Sequence, residues 1–310
     1  MRWPLEALWE QVVPFWPGFT AEVLPELDST NSELMRRARS ASGATSAQCD
    51  PVLLVAVHQT AGRGRLGRTW MSGPSATDLT FSLGFPWRLG AGQDAPLSGL
   101  SLLVGLAVAR SLHPSIRLKW PNDLWWNARK LGGILIETTS LAREASALYV
   151  VVGVGLNISP RSSEGLHTPA ACLQELMDTD PLPGICVPTP DAAGALLRVV
   201  PELVQAIEQF RAQGFAPFVD EFLARDALAG LEITVRSGAS TGAQTGAHMS
   251  ASMSLDNAAA SQTGEAGDVT GLVCGVNAEG ALLIKTPLGL QEVRSSEVTL
   301  RSNKGEQGAG

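Results

Sequence analysis

The sequence predicts an α+β protein in two parts: a large N-terminal part of interleaved strands and helices, and a small all-β C-terminal part. Two observations carry this. Up to about Gly230, short apolar strand-like runs alternate with segments of helical apolar spacing. Beyond it, Leu231–Arg236, Val269–Val276, Ala281–Thr286 and Gly289–Arg294 read as short strands joined by turn residues such as Asn277-Ala278-Glu279-Gly280, a β-barrel of SH3-like size. The chain of 310 residues is long enough for one large domain and a small one, here 1–228 and 229–310.

In order, Phe19–Leu27 reads as a first strand ending at Asp28-Ser29-Thr30-Asn31. Thr30 and Glu33 have capping-box spacing and open a helix to about Ala41. The turn before it presents hydroxyls and amide groups, which serve equally as a helix cap or as ligand contacts. A strand over Val52–Val57 feeds into Gly62-Arg63-Gly64-Arg65-Leu66-Gly67-Arg68-Thr69-Trp70, where glycines alternate with arginines. Glycine lets backbone approach a ligand closely, and arginine offers a planar fork of donors to phosphate or carboxylate. The run suits a loop closing over a polyanion, with Trp70 placed to stack. It also matches G-x-G-x-x-G, but the breaker cluster Met71-Ser72-Gly73-Pro74-Ser75 follows in place of a helix, against a dinucleotide fold.

Leu79–Phe85 reads as a strand and Leu97–Leu112 as a buried helix. Lys119-Trp120-Pro121-Asn122-Asp123 ends a strand in a turn. Beside a polyanion loop, Asp123 is a candidate Mg²⁺ ligand, since Mg²⁺ commonly takes one or two carboxylates plus substrate phosphates. Arg129-Lys130-Leu131-Gly132-Gly133 leads into another strand, with paired glycines that suit either backbone packed against a bound molecule or a β-bulge. Ala147–Leu156 is an apolar strand carrying Gly153-Val154-Gly155-Leu156-Asn157; Ala192–Phe210 and Ala216–Leu223 read as helices.

Ser237–Gly267 interrupts the C-terminal strands with 31 residues, 22 of them Ala, Gly, Ser or Thr. Such a composition buries no core and is expected to be a flexible loop. Its Gly238-Ala239-Ser240-Thr241-Gly242 matches the nucleophile-elbow pattern without the strand-to-helix context that the motif needs. A net charge of −7 argues against binding nucleic acid through a general basic surface. The four cysteines lack C-x-x-C spacing, so buried thiols are expected rather than disulfides or zinc. No signal peptide and no run of 18 apolar residues is found, so a cytoplasmic protein without a membrane span is expected. Four lysines stand against 19 arginines, and two of those lysines, Lys119 and Lys130, fall in the most motif-rich stretch.

Taken together, Asp28-Ser29-Thr30-Asn31, the Gln59 to Trp70 run, Lys119 to Asp123, Arg129 to Leu135 and Gly153 to Asn157 resemble biotin protein ligases in content and order. The resemblance spans about residues 20 to 300. It implies a mixed sheet backed by helices, plus a C-terminal SH3-like barrel. It implies an ATP-dependent, Mg²⁺-dependent ligase that makes biotinyl-5′-AMP, then moves biotin to a lysine of the biotin carboxyl carrier protein of acetyl-CoA carboxylase. By the same resemblance, Ser29, Thr30, Asn31 and Gln59 would bind the ureido end of biotin. Arg63, Gly64 and Arg65 would lie along its carboxylate and the phosphates, and Arg68 and Trp70 would cover the ATP side. Lys130, with Arg65, would be catalytic, offsetting charge between carboxylate and α-phosphate. Asn122, Asp123 and Asn157 would serve nucleotide and metal, with Lys119 nearby. Two departures stand out: about 20 residues precede the first strand, too few for the helix-turn-helix of some family members, and the 237–267 tract is foreign to the compact barrel. No DNA partner is therefore expected, and a monomer or weak homodimer is. The competing readings are a lipoate or octanoate ligase of the same superfamily, lacking here its Gly-Gly-Gly run or a positioned cysteine, and a non-enzymatic regulator that senses biotinyl adenylate.

Replacing 237–267 by a short glycine-containing turn should leave adenylate formation nearly unchanged, because closure entropy shifts by only about 0.6 kcal/mol per doubling of loop length. Single-turnover adenylation by the shortened protein checks this, and a large drop in rate would give the tract a structural or catalytic part.

Overall fold

A computed structural model describes residues 2–40, 49–73, 77–90, 94–141, 144, 146–161, 163, 168–181, 191–236, 268–294 and 297–300. The 237–267 tract lies outside them. The chain runs α1 (Leu5–Val12), β1 (Thr20–Leu27), α2 (Thr30–Ser40), β2 (Val52–Gln59), β3 (Gly62–Arg63), β4 (Thr69–Trp70), β5 (Asp78–Arg88), α3 (Leu100–Leu112), β6 (Arg117–Lys119), β7 (Asp123–Trp126), β8 (Arg129–Ser140) and β9 (Ala147–Asn157). It continues through α4 (Leu173–Thr179), α5 (Ala192–Gln213), α6 (Val219–Arg225), β10 (Glu232–Arg236), β11 (Val269–Val276), β12 (Leu282–Thr286), β13 (Gly289–Val293) and β14 (Glu297–Leu300). α1, the short strands β3, β4 and β7, α4 and β14 had no counterpart in the sequence reading.

The large sheet is seven-stranded in the order β1-β2-β5-β9-β8-β7-β6. Only β1 and β2 pair in parallel; every other neighbour is antiparallel, so the sheet is mixed as expected. Its two faces are told apart by the period-2 alternation of strands. On β5, Leu79, Phe81, Leu83 and Phe85 join Val150, Val152 and Val154 of β9 in the main core with residues of α1, α3 and α5. α3 is apolar over most of its surface because it is largely enclosed, with Leu103, Val104, Leu106 and Val108 fully buried and Arg110 reaching the exterior. The opposite face carries α2, whose Leu34 and Met35 pack on Leu54, Tyr149 and Val151.

The helix start at α2 differs from the capping box expected of Thr30 and Glu33. Ser29 stands at the cap: its Oγ accepts from Ser32 N–H at 3.4 Å, and its carbonyl accepts from Glu33 N–H at 2.9 Å. Thr30 is already helical and gives its N–H to Gln59 Oε1 at 2.8 Å. Glu33 instead pairs with Arg36 and Arg37 on the helix surface.

The C-terminal strands form a five-stranded antiparallel sheet, β13-β12-β11-β10-β14. No pairing of β13 with β14 closes it among the described residues. This sheet is seated on the larger part at two places. The Trp120 indole donates to the Gly280 carbonyl at 3.1 Å, and the Gly280 Cα side is so close to Gly99 that a Cβ would lie 2.7 Å from its Cα. Near the chain crossing, Ala227 N–H donates to the Leu118 carbonyl at 2.9 Å, while Leu223 fills the space over Gly275.

Asp226 is buried at this crossing. One carboxylate oxygen accepts the Leu228 N–H at 2.8 Å and the other has no partner. Burial, opposed by that one bond, pushes its pKa up to about 6. A carboxyl raised in the folded state favours folding most when protonated, so this contribution is present below pH ~4 and is lost as pH rises to ~6. Asp226→Asn should therefore raise stability at pH 7 by roughly 1–3 kcal/mol and flatten the pH dependence between ~4 and ~6. Urea unfolding across that range checks it; an unchanged slope in the variant would mean Asp226 does not titrate there.

Candidate active site

The face of the large sheet that carries α2 is bare at its centre. Ser82 of β5, Gly153 of β9 and Leu135 of β8 are level with one another, and so are Thr80, Gly155 and Gly133. A Cβ at Gly153 would overlap the Asn31 carboxamide, and one at Gly155 would lie 2.6 Å from the Trp70 indole. The two glycines thus admit Asn31 and Trp70 onto the strand surface. Between those side chains lies a cleft lined by Ser29, Thr30, Gln59, Asn122 and the backbone of β8 and β9.

Its closed end is polar and ordered. Thr30, Asn31, Gln59 and Ser82 are all buried. Asn31 donates to the Leu135 carbonyl at 3.2 Å and to Glu137 Oε2 at 3.0 Å. Ser82 Oγ stands 2.6 Å from Asn31 Oδ1 and 2.7 Å from Thr30 Oγ1. The flanking wall is the β3–β4 hairpin, in which Gly62 pairs with Trp70 and Gly64 N–H donates to the Arg68 carbonyl at 2.7 Å. Its tip turns through two left-handed residues, Leu66 (φ 55°) and Gly67 (φ 72°). Leu66 accepts strain there of about 1–2 kcal/mol, the cost of a left-handed conformation for an L side chain. Arg63 turns outward to grip Glu137 at 2.9 Å.

The open end is cationic. Lys130 Nζ lies 2.7 Å from Asp123 Oδ1, beside the bare Gly133. Lys119 sits with its ammonium 4.4 Å from the centre of the Trp125 ring. Burial lowers the Lys119 pKa, with Lys130 and Arg68 adding to the effect and Asp123 opposing it. Burial likewise lowers Arg65, again with Asp123 opposing and Arg68 adding. Cations held in this way are strained by desolvation and mutual repulsion, and an arriving anion relieves both. Asn122 is fixed by Ile134, its Nδ2 donating to that residue's carbonyl at 2.8 Å, and it faces Arg65 at 3.5 Å.

Asn157 is placed differently from the rest. Its amide donates to the Ala171 carbonyl at 2.9 Å and the Lys130 carbonyl at 3.2 Å, so it clamps the end of β9 to the strand bearing Lys130. Three residues without a motif of their own also belong to the site. Ser82 and Glu137 complete the polar end. Asp78 is buried at the start of β5 and accepts the Gly73 N–H at 3.1 Å, anchoring the segment after Trp70. Burial raises its pKa against smaller opposing effects of Ser72, Gly73, Arg161 and Trp70. The alternation Thr80, Ser82, Gly84 within an apolar strand was the signal for Ser82.

Comparison with known proteins agrees with this geometry. Residues 29–157, which contain nearly all of the site, match the model of the biotin/lipoate A/B protein ligase family. The biotin--[acetyl-CoA-carboxylase] ligase of Mycobacterium tuberculosis is 36% identical over 224 residues, covering 68% of this chain and 74% of that protein. The chain belongs to the biotin protein ligase family. The bifunctional ligase/repressor BirA of Escherichia coli is 29% identical over 299 residues, 94% of this chain and 78% of its own. Among solved structures, the biotin protein ligase of Aquifex aeolicus in complex with biotin and ATP superposes with a TM-score of 0.63 at 26% identity, covering 91% of this ligase and 98% of that chain. No helix of this ligase is long and apolar enough to cross a membrane among the described residues.

The buried cations predict an anion site in this ligase that is measurable without any knowledge of substrate. Inorganic pyrophosphate at ten times its Kd should stabilise the fold by about 1.4 kcal/mol, a rise in Tm of a few degrees. High salt should diminish the shift, and Arg65→Ala or Lys119→Ala should reduce it. Calorimetry at two salt concentrations checks this; a shift unaffected by either substitution would place the anion elsewhere.

Proposed function

We propose that this ligase condenses biotin with ATP to biotinyl-5′-adenylate and pyrophosphate, then transfers the biotinyl group to a lysine of the biotin carboxyl carrier protein of acetyl-CoA carboxylase. The observation that carries the reading is the polarity of the cavity: a neutral hydrogen-bonding end at Thr30, Asn31 and Gln59 and a cationic end at Lys130, Lys119 and Arg65. Biotin has the matching form, a cyclic urea at one end and a carboxylate at the other. A lipoyl or octanoyl chain has no donors or acceptors for the polar end.

In the first step a carboxylate oxygen of biotin attacks the α-phosphorus and the bond to pyrophosphate breaks. Both partners are anionic, so the barrier is largely electrostatic and preorganised cations lower it. Lys130, held against Asp123, offsets charge where carboxylate and α-phosphate meet, with Arg65 beside it. Gly64 flanks the carboxylate, while Arg63 keeps its hold on Glu137 at the ureido end; Arg68 and Lys119 serve the phosphates, and Trp70 covers the adenylate from the hairpin side. Ser29, Thr30, Asn31 and Gln59 take the ureido ring. Asn122 and Asn157 hold the strands on which these groups stand. In the second step the carrier's ε-amine attacks the carbonyl carbon and AMP departs; the covering hairpin keeps water from the mixed anhydride.

The Mg²⁺ that accompanies ATP fits this site as a metal held chiefly by phosphates, with Asp123 as the protein carboxylate. No group of three or more His, Cys, Asp or Glu suited to a metal lies among the described residues. When bound, it neutralises the triphosphate. The domain division is 1–228 for catalysis and 229–310 for the small β unit, whose five strands suit an SH3-like barrel. We assign the ligase to the cytoplasm, as a monomer or weak homodimer without an operator of its own.

Biotin-dependent exchange of pyrophosphate into ATP by the purified chain tests the reading. Exchange is expected with biotin and not with lipoate or octanoate; exchange driven equally by lipoate, or none at all, would overturn it. Lys130→Ala should slow adenylate formation by roughly 10²–10³-fold, the usual effect of losing one preorganised electrostatic donor. Lys130→Arg should recover only part of that. Both should unfold at the wild-type temperature, and a full rate in Lys130→Ala would remove the residue from catalysis.

A further inference from the structure

The polar end of the cavity has more order than its ligand-facing residues require. Asn31 lies across the row formed by Ser82, Gly153 and Leu135, and Gly153 leaves the space for it. Its Nδ2 faces a carbonyl oxygen, that of Leu135, and a carboxylate oxygen, that of Glu137. Both only accept, so the carboxamide has one allowed orientation and its Oδ1 must point at Ser82. Ser82 is fully buried and stands within hydrogen-bond reach of both Asn31 Oδ1 and Thr30 Oγ1, yet it has a single proton. Asn31 Oδ1 can only accept, so that proton is committed to it. The 2.7 Å contact between Ser82 and Thr30 must then be a bond donated by Thr30. Gln59 Oε1, 3.2 Å from the Thr30 hydroxyl, takes its proton from the Thr30 backbone at 2.8 Å instead.

We propose that Ser82 and Glu137 are positioning residues that fix the direction of this chain of hydrogen bonds, so that Thr30 meets the ligand as an acceptor. The chain runs Thr30 to Ser82 to Asn31 to Glu137, each hydroxyl or amide donating to the next. The Glu137 carboxylate ends it and is itself held by two bonds from Arg63, at 2.9 and 3.2 Å. With its proton spent on Ser82, the Thr30 oxygen has only lone pairs for the cavity. It therefore selects a ligand with an N–H at that position, the property of a cyclic urea, and discriminates against a ligand presenting an ether or carbamate oxygen there. Without Glu137 only the 3.2 Å bond to the Leu135 carbonyl still holds the Asn31 carboxamide in this orientation; when it turns over, Ser82 donates to Thr30 and the Thr30 proton is released to the cavity.

This inference deepens the proposed biotin site and rests on it. Its test compares biotin with the two analogues in which one ureido N–H is replaced by a ring oxygen, in wild type, Glu137→Gln and Ser82→Ala. In Glu137→Gln the amide oxygen stays with Arg63 and its NH₂ turns to Asn31, reversing the chain; Ser82→Ala cuts the chain while leaving Glu137 and Arg63 paired. In wild type, one analogue should bind at least tenfold more weakly than biotin. In both variants biotin should weaken about tenfold, in Kd by calorimetry and in KM for pyrophosphate exchange, with kcat within threefold. The affinity for that analogue should change less than threefold, so the preference collapses. Equal weakening of biotin and analogue, or an unchanged preference in both variants at an unchanged Tm, would overturn the positioning role. If Ser82→Ala unfolds, Glu137→Gln alone decides. Wild type that binds no biotin would overturn the biotin reading and this inference with it, a result distinct from wild type that binds biotin with variants that keep its preference.

Discussion

Gly153 and Gly155 govern what the rest of the molecule places around them. They lie on the same face of β9, two residues apart, with Val154 turned to the core between them. Remove their bareness and both walls of the cavity are displaced, since Asn31 rests over one and Trp70 over the other. The same strand supplies the opposite need through Val150, Val152 and Val154, which are buried in the core that α3 and α5 also enter. A single strand thus provides a packed floor for the core and an empty floor for a ligand, and period-2 alternation lets it do both. The cost of the bare face is offset by the enclosed one, where side chains interlock across the sheet.

On this floor the electrostatics are sorted along one axis. The chain carries a net charge of −7, but Arg65, Arg68, Lys119 and Lys130 gather about Asp123 at one end of the cavity. Several other arginines among the described residues are committed to surface pairs, such as Arg36 with Asp28 and Arg110 with Glu202 and Glu221. Exposed pairs of that kind add little stability each. Bringing like charges together in a half-buried cleft costs stability, and a fold retains such a cost where a bound anion repays it. At the other end the hydrogen-bond chain ends on the Glu137 carboxylate, and Arg63 is turned away from the cation cluster to hold it.

Much of this was legible in the sequence, and the remainder shows where local pattern stops. The longer strands and helices were placed within a few residues because their apolar periods are clean, while the short strands β3, β4 and β7 were read as loop and turn. The glycine–arginine run and the Lys119 to Asp123 and Lys130 to Gly133 segments were singled out from composition alone, and the fold brings them to one cleft. Ser82 and Glu137 went unnoticed because neither sits in a motif; their meaning depends on β5, β9 and β8 being neighbours, which no local window contains. The alternation of Leu79, Phe81 and Leu83 with Thr80, Ser82 and Gly84 did mark a strand with one polar face. The capping box failed because Thr30 is drawn into a bond with Gln59, 29 residues away, and Ser29 takes the cap in its place. β14 was passed over because its alternation, Val298 and Leu300 between Glu297 and Thr299, is only four residues long and sits near the chain's end. Its partner β10 lies across the 237–267 tract from β11.

The choice between lysine and arginine at the cationic end follows from the space that the floor leaves. Lys130 stands against Gly133, close enough that a Cβ there would lie 3.4 Å from both its Cε and Nζ, and its ammonium meets Asp123 at 2.7 Å. Lys119 brings its ammonium 4.4 Å from the centre of the Trp125 ring. Both are sites for a compact head with three rotatable donors. A guanidinium is broader and planar and would need either the glycine face or the indole face to recede. Arg65 and Arg68 enter instead from the hairpin, on either side of the left-handed turn at Leu66 and Gly67, and Arg65 reaches Asn122 at 3.5 Å. A chain with four lysines and 19 arginines therefore places two of its lysines where the bare strands leave room for little more than an ammonium, and arginines where reach matters more than size.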